Sequence, residues 1–340
     1  MKYVTIIDIA KELGISKSTV SRALAGDCHN VNAETMRRIV ETADRLGYQR
    51  NELAVNLRRQ HTQTIGIIIP EVVTSFFMNF IEHAQRLLRK DGYRVIVAIS
   101  NEDPAQEQEN LRMLEQCRVD GILMSVCHHE ANIESYQRMI RKGIPITFFD
   151  RAVEGVEASR VVVDDYIMSF LLVEALIRKG RRRIVHLAGP KHVRNAIARS
   201  QAYRDALRKF GIEADARYVV AGGLNAEEGA AAMRRFVEGG LPFDALFGFT
   251  EMATLGAKSL LQQLGYRIPD EVALCCMSGT TLCTLVHPEI TAVEQPLSAM
   301  AEVACRLLIH QIEHPDAPKE EVVLRGDLRF RASTWPCVSP

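Results

Sequence analysis

The chain of 340 residues has no excess of either charge, with 42 Lys and Arg against 42 Asp and Glu. A polycation that coats nucleic acid is thereby excluded, so any affinity for DNA must be local. The eight cysteines (Cys28, Cys117, Cys127, Cys275, Cys276, Cys283, Cys305, Cys337) include no Cys-x-x-Cys pair, and reduced thiols are the simpler reading. No apolar run reaches the ~20 residues that cross a bilayer. Met1-Lys2-Tyr3-Val4-Thr5 holds no signal-peptide core, so a cytoplasmic location is expected. Gly-x-Gly-x-x-Gly, Walker and Gly-x-Ser-x-Gly patterns are also missing. His128 and His129 lie beside Cys127 and Glu130, yet adjacent histidines do not face one ion as an i,i+4 pair does. Neither an enzyme nor a metal or other cofactor is expected.

What is present begins near the N-terminus. Thr5 can cap a helix over 6–13, with Ile6, Ile9, Ala10 and Leu13 on one face. Gly14 permits a tight turn, Ile15 plugs the corner, and Ser16 can cap a second helix over 17–24. That second helix buries only Val20, Ala23 and Leu24, and its other face shows Lys17, Ser18, Ser21 and Arg22. A solvated helix pair would also be short and polar, but a recognition helix must be so. A third helix spans 33–46 between Asn32 and Gly47, with Met36, Ile39, Val40, Ala43 and Leu46 apolar. Residues 51–59 form a brief helical segment with a basic end, followed by a polar linker to about 63. Residues 1–64 carry ten basic against seven acidic side chains, a net +3. Such a modest bias suits a site-specific binder.

From residue 64 onward, apolar strand-like runs alternate with amphipathic helices. Strands are expected at 65–69, 94–99, 121–126, 144–149, 160–163, 184–188, 218–221, 245–249 and 272–277. This βαβ alternation implies parallel sheets covered on both faces, in two α/β lobes.

The strings Val4-Thr5-Ile6-Ile7-Asp8-Ile9-Ala10, Ile15-Ser16-Lys17-Ser18-Thr19-Val20-Ser21-Arg22-Ala23-Leu24 and Leu46-Gly47-Tyr48 closely resemble the headpiece of LacI/GalR (lactose/galactose repressor) family transcriptional regulators. The resemblance continues through Thr64-Ile65-Gly66-Ile67-Ile68-Ile69-Pro70, Val119-Asp120-Gly121-Ile122, Phe149-Asp150-Arg151 and Leu255-Gly256-Ala257, to about Thr334. It implies an α/β fold: a three-helix helix-turn-helix headpiece (1–50), a hinge helix and linker (51–63), then two Rossmann-like lobes of the periplasmic-binding-protein type (64–335). Lobe 1 would hold about 64–162 and 296–323, lobe 2 about 163–294 and 324–335. Effectors of such regulators sit between the lobes, at the carboxyl ends of the strands. A free periplasmic-type binding protein is the rival class for residues 64–335, and the headpiece argues against it.

For DNA, Arg22 can fork onto guanine and Lys17 and Ser18 can adapt to several bases, while Thr5, Ser16, Thr19 and Ser21 suit phosphates and register. A phosphate contact is the competing role for Arg22 and Lys17. The resemblance makes Leu57 a minor-groove wedge at the operator centre, with Ala54 allowing close approach. Ala25 and Arg50 depart from the family's frequent Asn and Pro.

For the effector, the resemblance points to Phe76 and Phe77 as an aromatic pair that stacks a ring, with core packing as the competing role. Asp150 and Arg151 lie just past a strand, where an interlobe salt bridge competes with ligand binding. Arg199 matches the family's cleft arginine, able to clamp hydroxyls or a carboxylate bidentately. Gln295 keeps the family's amide. Thr250-Glu251 replaces Asn-Asp, and Cys276-Met277-Ser278-Gly279 replaces Gly-Phe-Asp-Asp, so Ser278 stands where a carboxylate is usual and Glu251 is an acid with a longer reach.

The resulting expectation is a ligand-responsive, sequence-specific DNA-binding regulator, a repressor of a carbohydrate-utilisation operon. Its partners would be a double-stranded, near-palindromic operator bound as a homodimer, and a small polar effector (sugar, sugar derivative or nucleoside-like), with no membrane. Inducer and corepressor action stay open.

Overall fold

The computed structural model describes residues 4–24, 31–48 and 61–334. Ala54 and Leu57, like the rest of the expected hinge helix, lie outside the described residues. The chain divides into two compact units, Met1–Thr62 and Gln63–Pro340.

The first unit contains α1 (Ile6–Leu13), α2 (Lys17–Leu24) and α3 (Ala33–Leu46). Each start is fixed by a short polar side chain. The Thr5 backbone N–H and hydroxyl both donate to Asp8 Oδ2 at 2.7 Å. Ser16 Oγ accepts from the Thr19 N–H at 3.1 Å, and Asn32 Oδ1 from the Thr35 N–H at 2.8 Å. Gly14 and Gly47 end α1 and α3 at φ 65° and 67°, a left-handed cap that glycine adopts without strain. Ile9, Val20 and Ile39 are fully buried at the centre, with Ala10, Ala23, Val31 and Ala43 around them. Val40, expected on the apolar stripe, is instead 43% exposed. It follows Ile39 by one residue, about 100° around the helix, which turns it off the face that meets α1 and α2.

The second unit is built on two six-stranded sheets. The first has the order β11-β5-β4-β3-β1-β2 and uses β1 (Thr64–Ile69), β2 (Arg94–Ile99), β3 (Gly121–Met124), β4 (Ile146–Phe149), β5 (Ser159–Val163) and β11 (Glu321–Leu324). Helices α4 (Ser75–Lys90), α5 (Pro104–Gln116), α6 (Ile133–Arg141) and α12 (Leu297–Glu313) cover it. The second has the order β12-β10-β9-β8-β6-β7 and uses β6 (Ile184–Ala188), β7 (Val219–Ala221), β8 (Ala245–Gly248), β9 (Ala273–Gly279), β10 (Thr291–Glu294) and β12 (Asp327–Arg329). It is covered by α7 (Asp165–Arg178), α8 (Arg194–Lys209), α9 (Ala226–Glu238) and α10 (Glu251–Gln263). All pairings are parallel except β10 with β12. The chain crosses between lobes at Asp164, at Gln295-Pro296 and at Arg325-Gly326.

Why these runs become buried parallel strands is visible in β1. Ile65, Ile67 and Ile69 join one apolar cluster and Ile68 joins the other, so both faces are covered and no polar alternation is needed. The larger cluster runs without a break from Ile65 and Phe80 in lobe 1 to Phe247 and Val293 in lobe 2. In lobe 2, α9 and α10 cross so closely that a Cβ on Gly256 would lie 1.8 Å from the Ala226 carbonyl oxygen. The short helix α11 (Leu282–Leu285) and the strand β12 are three or four residues long, too short for a periodic signal.

Candidate DNA-binding face and interlobe cleft

On the headpiece, Lys17, Ser18 and Arg22 are exposed on one side of α2, opposite buried Val20 and Ala23, with Ser21 half-buried beside them. Neither Lys17 nor Arg22 has an ion-pair partner among the described residues. Ser16 Oγ lies 2.7 Å from Ser18 Oγ and 2.8 Å from Thr19 Oγ1, so the first turn of α2 presents a compact row of hydroxyls. Exposed donors without internal acceptors, on a helix anchored by an apolar opposite face, can dock on base edges and phosphates.

The cleft forms where strands of both sheets end. Asp150 follows β4, Ser278 lies near the end of β9, and Thr250 and Glu251 follow β8 at the start of α10. Among the described residues seven non-glycine positions have positive φ, and four of them line the cleft: Asn101 (50°), Glu102 (58°), Asp150 (56°) and Ser278 (58°). Left-handed backbone at non-glycine positions costs on the order of 1–3 kcal/mol each and concentrates at ligand sites.

An inner cavity brings together Phe76, Phe77, Asp150, Arg151, Arg199, Glu251 and Ser278, all singled out in the sequence. Gln295 reaches it indirectly, donating from Nε2 to Ser278 Oγ at 2.8 Å. Its own Oε1 is buried without a partner among the described residues. Both phenylalanines are buried, edge to face at 5.0 Å, and belong to the core as well as the cavity wall.

Arg199 is engaged within the protein. It is 2% exposed, and its guanidinium donates from Nε to Asp165 Oδ1 (2.7 Å), from Nη1 to the Phe249 carbonyl (2.6 Å) and from Nη2 to Ser278 Oγ (3.3 Å). Asp165 occupies the edge formed by Nε and Nη2. Arg151 is held likewise: Nη1 donates to both Glu102 oxygens at 2.9 and 3.0 Å, while the guanidinium lies 5.6 Å from the Phe77 ring centre. Glu251 accepts from Thr280 N–H (2.8 Å), Thr280 Oγ1 (2.7 Å) and Cys283 N–H (3.1 Å), so its longer reach serves the 280–283 turn.

Asp150 is different. It is 8% exposed, takes one amide hydrogen bond from Asn195 Nδ2 at 3.2 Å, and its Oδ2 lies 4.0 Å from Arg151 Nε. Burial pushes its carboxyl up to about 7, against the pull of Arg151.

The Asp150–Asn195 bond is one of several that join the lobes. Ser75 Oγ bonds Thr280 Oγ1 at 2.9 Å. His129 donates from its backbone N–H (3.1 Å) and from Nδ1 (2.7 Å) to the His192 carbonyl, and His128 stacks on His192 at 5.3 Å. Glu154 pairs with Arg194 at the rim. Between these contacts the inner cavity holds only about 30 Å³, room for about two waters. Beyond Glu71 and Leu224 a second cavity of about 620 Å³ opens, lined partly by Val72, Val73 and Pro190.

Sequence reasoning missed Glu71, Asn195, Leu224, Thr250 and Thr280 as lining residues. Glu71 and Thr250 each stand two residues past a strand, the kind of position that singled out Asp150 and Arg151. Asn195 and Thr280 needed the interlobe approach itself.

Together these features define a two-lobed sensor body joined in one chain to a helix-turn-helix DNA-binding unit. Residues 5–51 match the family described as "Bacterial regulatory proteins, lacI family", and residues 173–334 match a periplasmic binding protein-like domain. Catabolite control protein A of Priestia megaterium is 28% identical over 333 residues, covering 97% of this chain and 99% of that protein. The transcriptional repressor CytR of Escherichia coli K12 is 26% identical, covering 97% and 96%. A structure titled transcriptional regulator CelR-cellobiose complex superposes with a TM-score of 0.74 at 26% identity, covering 97% of this chain and 99% of that one. The lac repressor dimer bound to operator and anti-inducer shares the fold, with a TM-score of 0.85 at 19% identity and 98% and 99% coverage. The chain thus carries a lacI-family DNA-binding region followed by a periplasmic binding protein-like domain. Relatives that match along nearly its whole length are named transcriptional regulators and repressors. Among the described residues no helix is long and apolar enough to cross a membrane.

Proposed function

We propose that this protein is a repressor that binds a near-palindromic operator as a homodimer and releases or tightens on it when a small polar effector enters the interlobe cleft. Residues 1–50 read the operator through Lys17, Ser18 and Arg22, with Thr5, Ser16, Thr19 and Ser21 on the phosphates. Residues 51–63 carry the minor-groove contact through Leu57 and Ala54, and 64–335 bind effector and partner subunit in the cytoplasm. The observation that carries the reading is the pairing, in one chain, of an exposed basic face on α2 with a polar cavity at the strand ends of both lobes.

A carbohydrate-related effector is supported by similar proteins, among them a regulator solved as a cellobiose complex and a ribose operon repressor. A ligand changes DNA affinity only if it favours one lobe arrangement over another. An inner cavity of about 30 Å³ is far below the ~300 Å³ of usual ligand pockets, so a ligand seated there favours a wider cleft than the one described.

The test is a binding-site selection from random duplexes with the full-length protein. Two related half-sites about one helical turn apart are expected. Enrichment of no consensus, or of a single unpaired half-site, would remove the dimeric-operator reading.

A further inference from the structure

We infer that the cleft selects by charge: it takes an uncharged or cationic small molecule whose hydroxyl or ammonium group donates to Asp150, and it rejects ligands bearing carboxylate or phosphate. This rests on the interlobe effector reading and narrows its ligand class.

Two arginines in the cavity wall would suggest an anion site by residue type alone. The geometry removes that meaning. Arg199 already faces Asp165 at 2.6 Å and Arg151 already faces Glu102 at 2.9 Å, so each arginine's charge is met within the protein. Three further acids line the same cavity: Asp150, Glu71 and Glu251. Glu71 accepts from the Thr74 N–H and hydroxyl, and Glu251 from the 280–283 turn, so neutral donors satisfy both without cancelling their charge. The outer cavity continues the trend, with Glu71, Glu102 and Glu228 beside Arg235 and His192. An anion entering the inner cavity meets like charge in a poorly screened space, where both arginines already face an acid of the protein.

Asp150 supplies the positive half of the argument. A carboxylate offers about four acceptor positions, and this one, over nine-tenths buried, has a single amide donor at 3.2 Å. Burying an acceptor so poorly satisfied is unfavourable unless a ligand completes it. The left-handed backbone of Asp150 aims it beside Asn195 of the other lobe, so a donor placed there engages both lobes at once. Since Asp150 sits near 7 through burial, a donating ligand also stabilises its ionised form. The affinity of such a ligand should therefore rise between pH 6 and 8.

The experiment is thermal shift followed by calorimetry on the full-length protein with matched probes: glucose, glucosamine, glucuronate and glucose 6-phosphate; ribose and ribose 5-phosphate; adenosine and AMP. At least one neutral or cationic probe should bind, its anionic counterpart at least about tenfold more weakly, and Asp150→Asn should weaken the binder about tenfold or more. Asn keeps the side-chain shape and tolerates positive φ, so the variant should fold, which its unchanged unfolding midpoint without ligand verifies. An anionic probe that binds as tightly as its neutral match overturns the inference, as does affinity that rises toward pH 6, or silence from every neutral and cationic probe. If binding of an anion still depends on Asn195 and Ser278, the charge class alone fails. If no cleft substitution alters binding, the interlobe site itself fails.

Discussion

At the scale of single residues, Arg22 and His186 represent opposite uses of a basic side chain, one charged and exposed, the other neutral and buried. Arg22 stands on an exposed face with no acceptor of its own among the described residues, so its donors are available to DNA. Arg22→Ala should cost about 1–3 kcal/mol of operator affinity and relax the preference at one base pair in each half-site. A selection that returns the parent consensus would make Arg22 a phosphate contact. His186 is wholly buried, stacked between Tyr203 (5.2 Å) and Phe247 (4.7 Å), and bonded to the Phe247 carbonyl and Ser200 Oγ. Burial lowers its pKa from 6.5 to about 4. The folded state thus binds fewer protons than the unfolded state between those values, and stability falls as pH drops from 6.5, by about 3 kcal/mol at pH 4. His186→Gln should be less stable at pH 7 but lose less between pH 6.5 and 5, read from urea midpoints. The sequence disclosed Arg22 because exposure follows from helical spacing. It did not disclose the engagement of Arg199, since Asp165 and Phe249 are 34 and 50 residues away and only the fold brings them together.

At the scale of elements, the headpiece helices match their sequence signals end for end, because each boundary is a local event: a hydroxyl or amide cap at the start, or a glycine in the left-handed region. The body's strands are legible as apolar runs, and their ends drift by a residue or two because β pairing, not the run, decides where they stop. Gly256 shows what a string of letters cannot explain alone. It sits where α10 passes the start of α9, and any side chain there strikes backbone rather than a flexible tip. Gly256→Ala should destabilise the second lobe by about 1–3 kcal/mol, since the helix pair must separate to admit one methyl group. Thermal unfolding of the variant checks this. An unchanged midpoint would show that the crossing relaxes without cost.

For the whole molecule, the question is which contacts set the balance between lobe arrangements. The seam described here includes Asp150–Asn195, Ser75–Thr280 and His129–His192, and it leaves an inner cavity of about 30 Å³. A ligand larger than two waters seated in the inner cavity must loosen some of these bonds, and each typical hydrogen bond contributes only about 0.5–1.5 kcal/mol, so the arrangement is within reach of ordinary binding energies. Ser75 and Thr280 offer a direct test, because their hydroxyl oxygens lie 2.9 Å apart across the seam. Ser75→Cys combined with Thr280→Cys should form a disulfide under mild oxidation, since side chains in contact at this distance need only small shifts to reach bonding geometry. The oxidised double variant should keep the narrow cavity, fail to bind the ligand found by screening, and hold one operator affinity whether or not ligand is added. Reduction should restore the response in the same sample, which separates locking from damage. If the cross-linked protein still answers to ligand with its original affinity, then widening of this cleft is not how the signal reaches DNA.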